Sequence, residues 1–130
     1  MPAGRAGEFR WGVAQKNADL SRQLGDDEHG WGLRSDGFQT ADGSARKVVE
    51  LMASEGDILG CTFSNDMRQC EFFHNGLPLD TALIERIKGT VFPAVSVSKG
   101  AVLQANFGRQ AFTYPPPPGF SALMIEQDIL

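Results

Sequence analysis

Apolar residues in this chain never recur every three or four positions over a long stretch; they alternate with small or polar ones in short runs. Leu59, Cys61 and Phe63 alternate with Gly60 and Thr62 in the run Ile58 to Ser64. That period of two belongs to a half-buried strand. Asn65 to Arg68 then makes a polar turn, Cys70 to His74 returns, and Asn75-Gly76 closes the unit with a strong turn pair. Phe9, Trp11 and Val13 share one face of a run ending at Ala14, and Trp31 to Ser35 alternates again. Fifteen glycines and seven prolines lie between such runs rather than in one tract. Many short strands with regular turn signals make an all-β, antiparallel sandwich or barrel the expected fold class.

Val91 to Val97 and Ala101 to Phe107 flank Ser98-Lys99-Gly100. A three-residue loop pairs Val95 with Leu103 and Val91 with Phe107 on one clean apolar face, whereas a two-residue turn mixes the faces. Lys47 to Met52 fits a strand and a helical turn equally well. Tyr114-Pro-Pro-Pro-Pro-Gly119 cannot continue a sheet and reads as an extended strap leading to an apolar tail that ends at Leu130. With 130 residues, one domain is expected.

Four segments in order carry a resemblance. They are Phe9-Arg-Trp-Gly-Val-Ala14; Leu24-Gly-Asp-Asp-Glu-His-Gly-Trp-Gly32 with Ser35-Asp-Gly37; Gly56-Asp-Ile-Leu-Gly-Cys61 with Phe72-Phe-His-Asn-Gly76; and Phe92-Pro-Ala-Val-Ser96 with Asn106-Phe-Gly108. Together they resemble the SPRY domain family. The resemblance implies a concanavalin-like, antiparallel two-sheet β-sandwich over residues 9–108, between a flexible N-terminus (1–8) and a strap with docked tail (109–130). It further implies a non-catalytic module that binds a peptide or loop of another protein. His74 stands where the family usually has an apolar residue. Relative to the family the chain looks N-terminally truncated, with about two strands missing before Phe9. Such a loss predicts an uncovered sheet edge, apolar side chains near it (Trp11 and Trp31 among them) meeting water, and self-association through that edge.

Net charge is −4 and the twelve basic residues are scattered, so no footprint for nucleic acid is present. No apolar run approaches the ~20 residues of a membrane span. No signal sequence is read in residues 1–11, and the cytoplasm or nucleus is the expected location. Two cysteines, Cys61 and Cys70, do not make a disulfide framework and are expected to be buried, reduced and poorly reactive. Asp26-Asp27-Glu28-His29 is the densest set of metal-ligand types, but four consecutive side chains cannot converge on one ion, so a solvated loop is expected. No nucleophile–base pair can be nominated around His29 or His74, and Gly30-x-Gly32 lacks the rest of a phosphate-binding turn. No cofactor is expected.

Trp11 and Trp31 fall inside strands and read as core. Recognition on a β scaffold usually resides in loops. The longest are Gln15 to Arg22 and Phe38 to Arg46, where Asp19, Leu20, Arg22, Gln23, Phe38 and Arg46 offer apolar, charged and amide contacts for a peptide. A lectin-like, carbohydrate-binding sandwich is the alternative reading. Its usual aromatic platforms are scarce, with Tyr114 the sole tyrosine.

Overall fold

In the computed structural model, residues 8–19, 21–54 and 56–98 are described. Among them the chain forms β1 (Glu8–Gln15), β2 (Gly30–Arg34), β3 (Phe38–Ala41), β4 (Ser44–Lys47), β5 (Leu59–Ser64), β6 (Gln69–His74), β7 (Leu77–Pro78) and β8 (Val91–Ser98), with one 3-10 turn at Asp80–Ala82. Two antiparallel sheets result, ordered β4-β3-β2-β1-β8 and β5-β6-β7. The expected all-β sandwich is present.

Registers assign the faces, because residues directly opposite in an antiparallel pair share one. Trp11 lies opposite Leu33 and Val95, and Val13 opposite Trp31 and Pro93. This row, with Phe9, forms the inner face of the five-stranded sheet. From the other sheet come Cys70 and Phe72, together with Cys61 and Phe63 in register with them. The Trp11 indole edge meets the Phe72 ring at 5.6 Å and 89°, a favourable aromatic geometry. Its Nε1–H donates to the Gly60 carbonyl at 2.9 Å, so Trp11 both fills the core and bonds one sheet to the other.

The segment after β7 seals the flank of β6. Cys70 and Ile84 exchange backbone hydrogen bonds of 2.9 and 3.0 Å, which buries Ala82, Ile84 and Ile87. Arg68 holds that segment: its Nε–H donates to the Ile87 carbonyl at 3.0 Å, another guanidinium N–H donates to the Gly89 carbonyl, and its plane lies 4.9 Å from the Phe63 ring centre.

Several expectations change. Phe38 to Arg46 is not a loop but the β3–β4 hairpin, turned by Asp42-Gly43, both at positive φ. Lys47 to Met52 is neither strand nor helical turn. Lys47 ends β4, and Val48 and Val49 both donate to the Gly37 carbonyl, at 3.0 and 3.3 Å. β5 begins one residue after Ile58, whose N–H is taken by the Asn75 side chain at 2.8 Å. Trp11 does not meet water: it is 6% exposed, and Trp31 packs against the same core. β8 pairs along the whole of β1. The Val95–Leu103 register, the proline strap and the tail lie outside the described residues.

Phe72 is 1% exposed whereas Phe92 is 51% exposed, although both are strand phenylalanines. Phe72→Ala should cost about 3–5 kcal/mol through lost transfer energy and the cavity left behind. Phe92→Ala should stay within about 0.5 kcal/mol, as exposed substitutions usually do. Urea denaturation of the two variants checks this; equal losses would mean that the two-sheet packing is wrong.

Candidate recognition site

The outer face of the five-stranded sheet is built from Arg10, Gly12 and Ala14 of β1 and their register partners. It is not open to water, because the loop from Lys16 to His29 folds back across it. Gly30 and Gly32 face outward on β2, and a Cβ on either would stand 2.9 or 2.8 Å from Leu24 side-chain atoms. The absent side chains leave the seat that Leu24 occupies, at 8% exposure. Gly25 follows at φ +88, where a Cβ would strike the Thr40 carbonyl at 2.4 Å, so only glycine fits this corner.

Polar bonds then fix the loop. The Leu24 carbonyl accepts from Arg10 Nη1 and from the Thr40 hydroxyl, each at 2.9 Å, and the Leu24 N–H donates to Ser96 Oγ at 2.7 Å. Arg10 is 9% exposed and pairs with Asp26 Oδ1 at 2.8 Å, so its buried charge is compensated. Gln15 N–H donates to the His29 carbonyl at 2.7 Å and closes the loop's base.

The acidic run, expected to be merely solvated, builds the loop from within. Asp27 accepts from the Asp19 and His29 backbone N–H groups at 2.9 Å each, and Asp26 Oδ2 accepts from the Gln23 N–H at 3.2 Å. The bond from the Asp19 N–H, aided by that from His29, holds the Asp27 carboxyl below its ordinary range against the opposing effect of burial. Asp19 is lowered chiefly by the Ser21 hydroxyl, at 2.6 Å, and the Ser21 N–H. Among the described residues no group of three or more His, Cys, Asp or Glu side chains could hold a metal ion.

Where this loop meets β8 a cavity of about 290 Å³ opens. Asp19, Arg22 and Gln23 line it, with Ser21, Ala18 and Ala14 on their side and Ala94 to Val97 of β8 opposite. Arg22 is exposed and held by one bond, from its Nη2 to the Asp26 carbonyl at 2.8 Å. Ala94 and Ser96, the partners of Gly12 and Arg10, turn their side chains to this outer face, whereas the side chains of Val95 and Val97, opposite Trp11 and Phe9, belong to the inner one. Three of the six residues nominated from sequence therefore share one concavity.

The other three do not join them. Phe38 lies on the outer face two strands from β1, roughly 10 Å away at ordinary strand spacing. The Arg34 guanidinium sits 4.6 Å from its ring centre and Lys47 Nζ 6.0 Å, while Arg34 grips Asp36 through two bonds of 2.7 and 3.0 Å. Arg46 is opposite Gln39, which is opposite Leu33, so it projects from the inner-face side. Leu20 lies outside the described residues. Ala94 and Ser96 were missed because they come from a strand some seventy positions away, and nothing in their local pattern names the loop they face.

His74 pairs with Asp57 at 2.8 Å, and Asp57 also accepts from the Ser54 N–H at 2.9 Å. The polar residue at this position is thus accommodated by a clasp across the base of the β5–β6 hairpin. His29 Nδ1 lies 2.8 Å from Gln15 Oε1.

Comparison with known proteins follows from this architecture. The SPRY domain family matches over residues 3–110. SPRY domain-containing protein 7 of Gallus gallus is 33% identical over 121 residues, covering 91% of this chain and 59% of that protein. The Homo sapiens protein of the same name is 32% identical over the same coverage. Ran-binding protein 10 of Danio rerio is 26% identical over 113 residues, covering 85% of this chain and 18% of that protein. The chain thus spans about 59% of the length of the first of these relatives.

The lowered carboxyls make the site loop acid-sensitive. A group whose folded pKa is depressed contributes its stability above the unfolded value and loses it as pH falls through the folded one. Protonation of Asp19 and Asp27 should therefore cost the chain stability as pH falls below roughly 4. Asp27→Asn should lower stability at pH 6 and flatten that acid limb. Denaturant midpoints measured at pH 6 and pH 3 check this; parallel limbs for the two proteins would remove Asp27 from the account.

Proposed function

This chain belongs to the SPRY domain family, a family of protein-interaction modules, and we propose that it docks a short peptide or loop of a partner protein between the β1–β2 loop and β8. The observation that carries the reading is the preformed cavity in which Arg22, Gln23 and Asp19 face Ala94 and Ser96 of β8. Charges, an amide and small side chains (Ala14, Ala18, Ala94) within one concavity suit a peptide, which offers backbone amides and mixed side chains together. A loop already fixed by its own hydrogen bonds loses little freedom on binding, so more of the contact energy remains as affinity. Phe38 would flank such a ligand, and Arg46 would reach only a partner that wraps past β4.

In this reading the module is non-catalytic. Among the described residues the histidines are engaged by Gln15 and Asp57, away from both cysteines' mutual contact, which supports recognition rather than catalysis by a Cys–His pair. Its setting is cytoplasmic or nuclear. No described helix is long and apolar enough to cross a membrane. A relative named for binding Ran fits a protein partner. Self-association through a sheet edge is also part of the proposal. β4 is outermost in its sheet, paired only with β3 among the described residues, and all four of its residues are exposed. Arg46 and Lys47 oppose an identical edge, so association is weak and grows with concentration.

A peptide-display selection and a glycan array on the same immobilised chain test the main reading. Peptides should be enriched, and Arg22→Glu should abolish their capture while shifting stability by under about 0.5 kcal/mol. Arg46→Glu should change capture far less. Glycan binding without peptide enrichment, or loss of capture only in variants with a lowered melting temperature, would overturn it.

A further inference from the structure

Cys61 on β5 and Cys70 on β6 are the only cysteines of the chain. Cys61 lies opposite Phe72 and Cys70 opposite Phe63, so the thiols are diagonal neighbours on the face turned toward the first sheet. Their sulfurs are 2.8 Å apart. A disulfide bond is about 2.05 Å long, so roughly 0.8 Å of approach separates the pair from bonding distance. The buried thiol expected from the sequence describes Cys70, at 0% exposure, but Cys61 is only half-buried and can meet a small molecule from solvent. Its hydrogen bond to Cys61, together with burial, pushes the Cys70 thiol well up, so Cys70 keeps its proton. The two sulfurs are therefore unequal: one accessible, the other protected and in contact with the first.

The geometry points to a site of oxidative modification, in which Cys61 and Cys70 close to an intramolecular disulfide when the chain meets a peroxide. Cys61, as thiolate, attacks one peroxide oxygen; an S–O bond forms, the O–O bond breaks, and the departing hydroxide takes up the proton that Cys61 released. Cys70 then attacks the sulfur of the resulting sulfenic acid, the S–S bond forms, and the expelled hydroxide leaves as water with the Cys70 proton. Two thiols and one hydrogen peroxide give one disulfide and two waters, the sulfurs losing two electrons that the peroxide oxygens gain. The bond lies beside Gly60, whose carbonyl receives the Trp11 indole, so it staples the hairpin where the two sheets meet.

The test uses the whole 130-residue chain treated with hydrogen peroxide and read by non-reducing intact mass and peptide mapping. The expected product is a monomer lighter by two hydrogens, about 2 Da, with the Cys61 and Cys70 peptides linked, reverting on treatment with dithiothreitol. Cys61→Ser should abolish the product. Cys70→Ser should stop at a sulfenic acid on Cys61 that dimedone traps. The unsubstituted chain, treated with peroxide, decides the matter alone should either variant fail to fold. Disulfide-linked dimers, sulfinic acid on Cys61 without a cross-link, or no change at peroxide levels that oxidise a free thiol peptide would each overturn the assignment.

Discussion

Everything described here depends on β1 being covered on both faces. From Phe9 to Val13 every residue is buried, including Arg10 and Gly12, so no side of the strand is left for water. The inner side chains are large and close on Phe72 of the second sheet. The outer ones must accept a returning loop at short range. A Cβ on Gly12 would lie 2.1 Å from the Trp31 carbonyl, so the position admits nothing larger. Arg10 can be buried only because Asp26 and the Leu24 carbonyl meet its guanidinium. Central placement between β2 and β8 follows: a strand buried on both faces is best satisfied when both edges are also paired.

The loop over β1 is therefore part of the fold before it is part of a site. Its anchor is apolar, Leu24 in the seat left by Gly30 and Gly32, and its outline is drawn by carboxylates accepting backbone N–H groups. Charge-assisted bonds of this kind are roughly twice as strong as neutral ones. Asp19, Arg22 and Gln23 are consequently presented in fixed positions on a segment with no strand or α-helix of its own. The same rigidity makes the loop sensitive to acid, since the groups that shape it are acceptors only while ionised.

Much of the inner face was legible from residue alternation: Phe9-Trp11-Val13, Leu59-Cys61-Phe63 and Cys70-Phe72 all read correctly. The outer face was not. Arg10 and Thr40 look like solvent positions, and only the fold of a distant loop reveals that Thr40 is 1% exposed. The turn pair at Asn75-Gly76 was visible, yet β3 and β4 were missed because four-residue, largely polar strands carry almost no periodic signal. Strand identity was easier than strand partnership. Val91 to Val97 read as a strand at once, but alternation cannot say that its neighbour is β1, roughly eighty positions earlier. The site inherits that asymmetry. Arg22 and Gln23 could be nominated from loop position, whereas Ala94 and Ser96 could not, and Arg46 was grouped with Phe38 until the register put them on opposite faces.

The proposed recognition cavity and the thiol pair lie on opposite sides of β1, which determines how far one can influence the other. Trp11 is the described hydrogen-bond link, its indole holding the Gly60 carbonyl one residue from Cys61. A shift at Cys61 reaches β1 through that bond and through the Trp11–Phe72 contact. Against it stand the ladders of β1, in register with β2 from Arg10 to Ala14 and with β8 from Glu8 to Gln15. Backbone ladders on both edges resist displacement far more than one side-chain bond can impose, since moving the strand would break many pairs to preserve one. A cross-link between β5 and β6 is therefore absorbed within the smaller sheet and at the indole, leaving the Leu24 seat and the Arg22 wall in place. The proposed peptide capture and the proposed thiol oxidation are thus separable, each resting on its own face of the central strand.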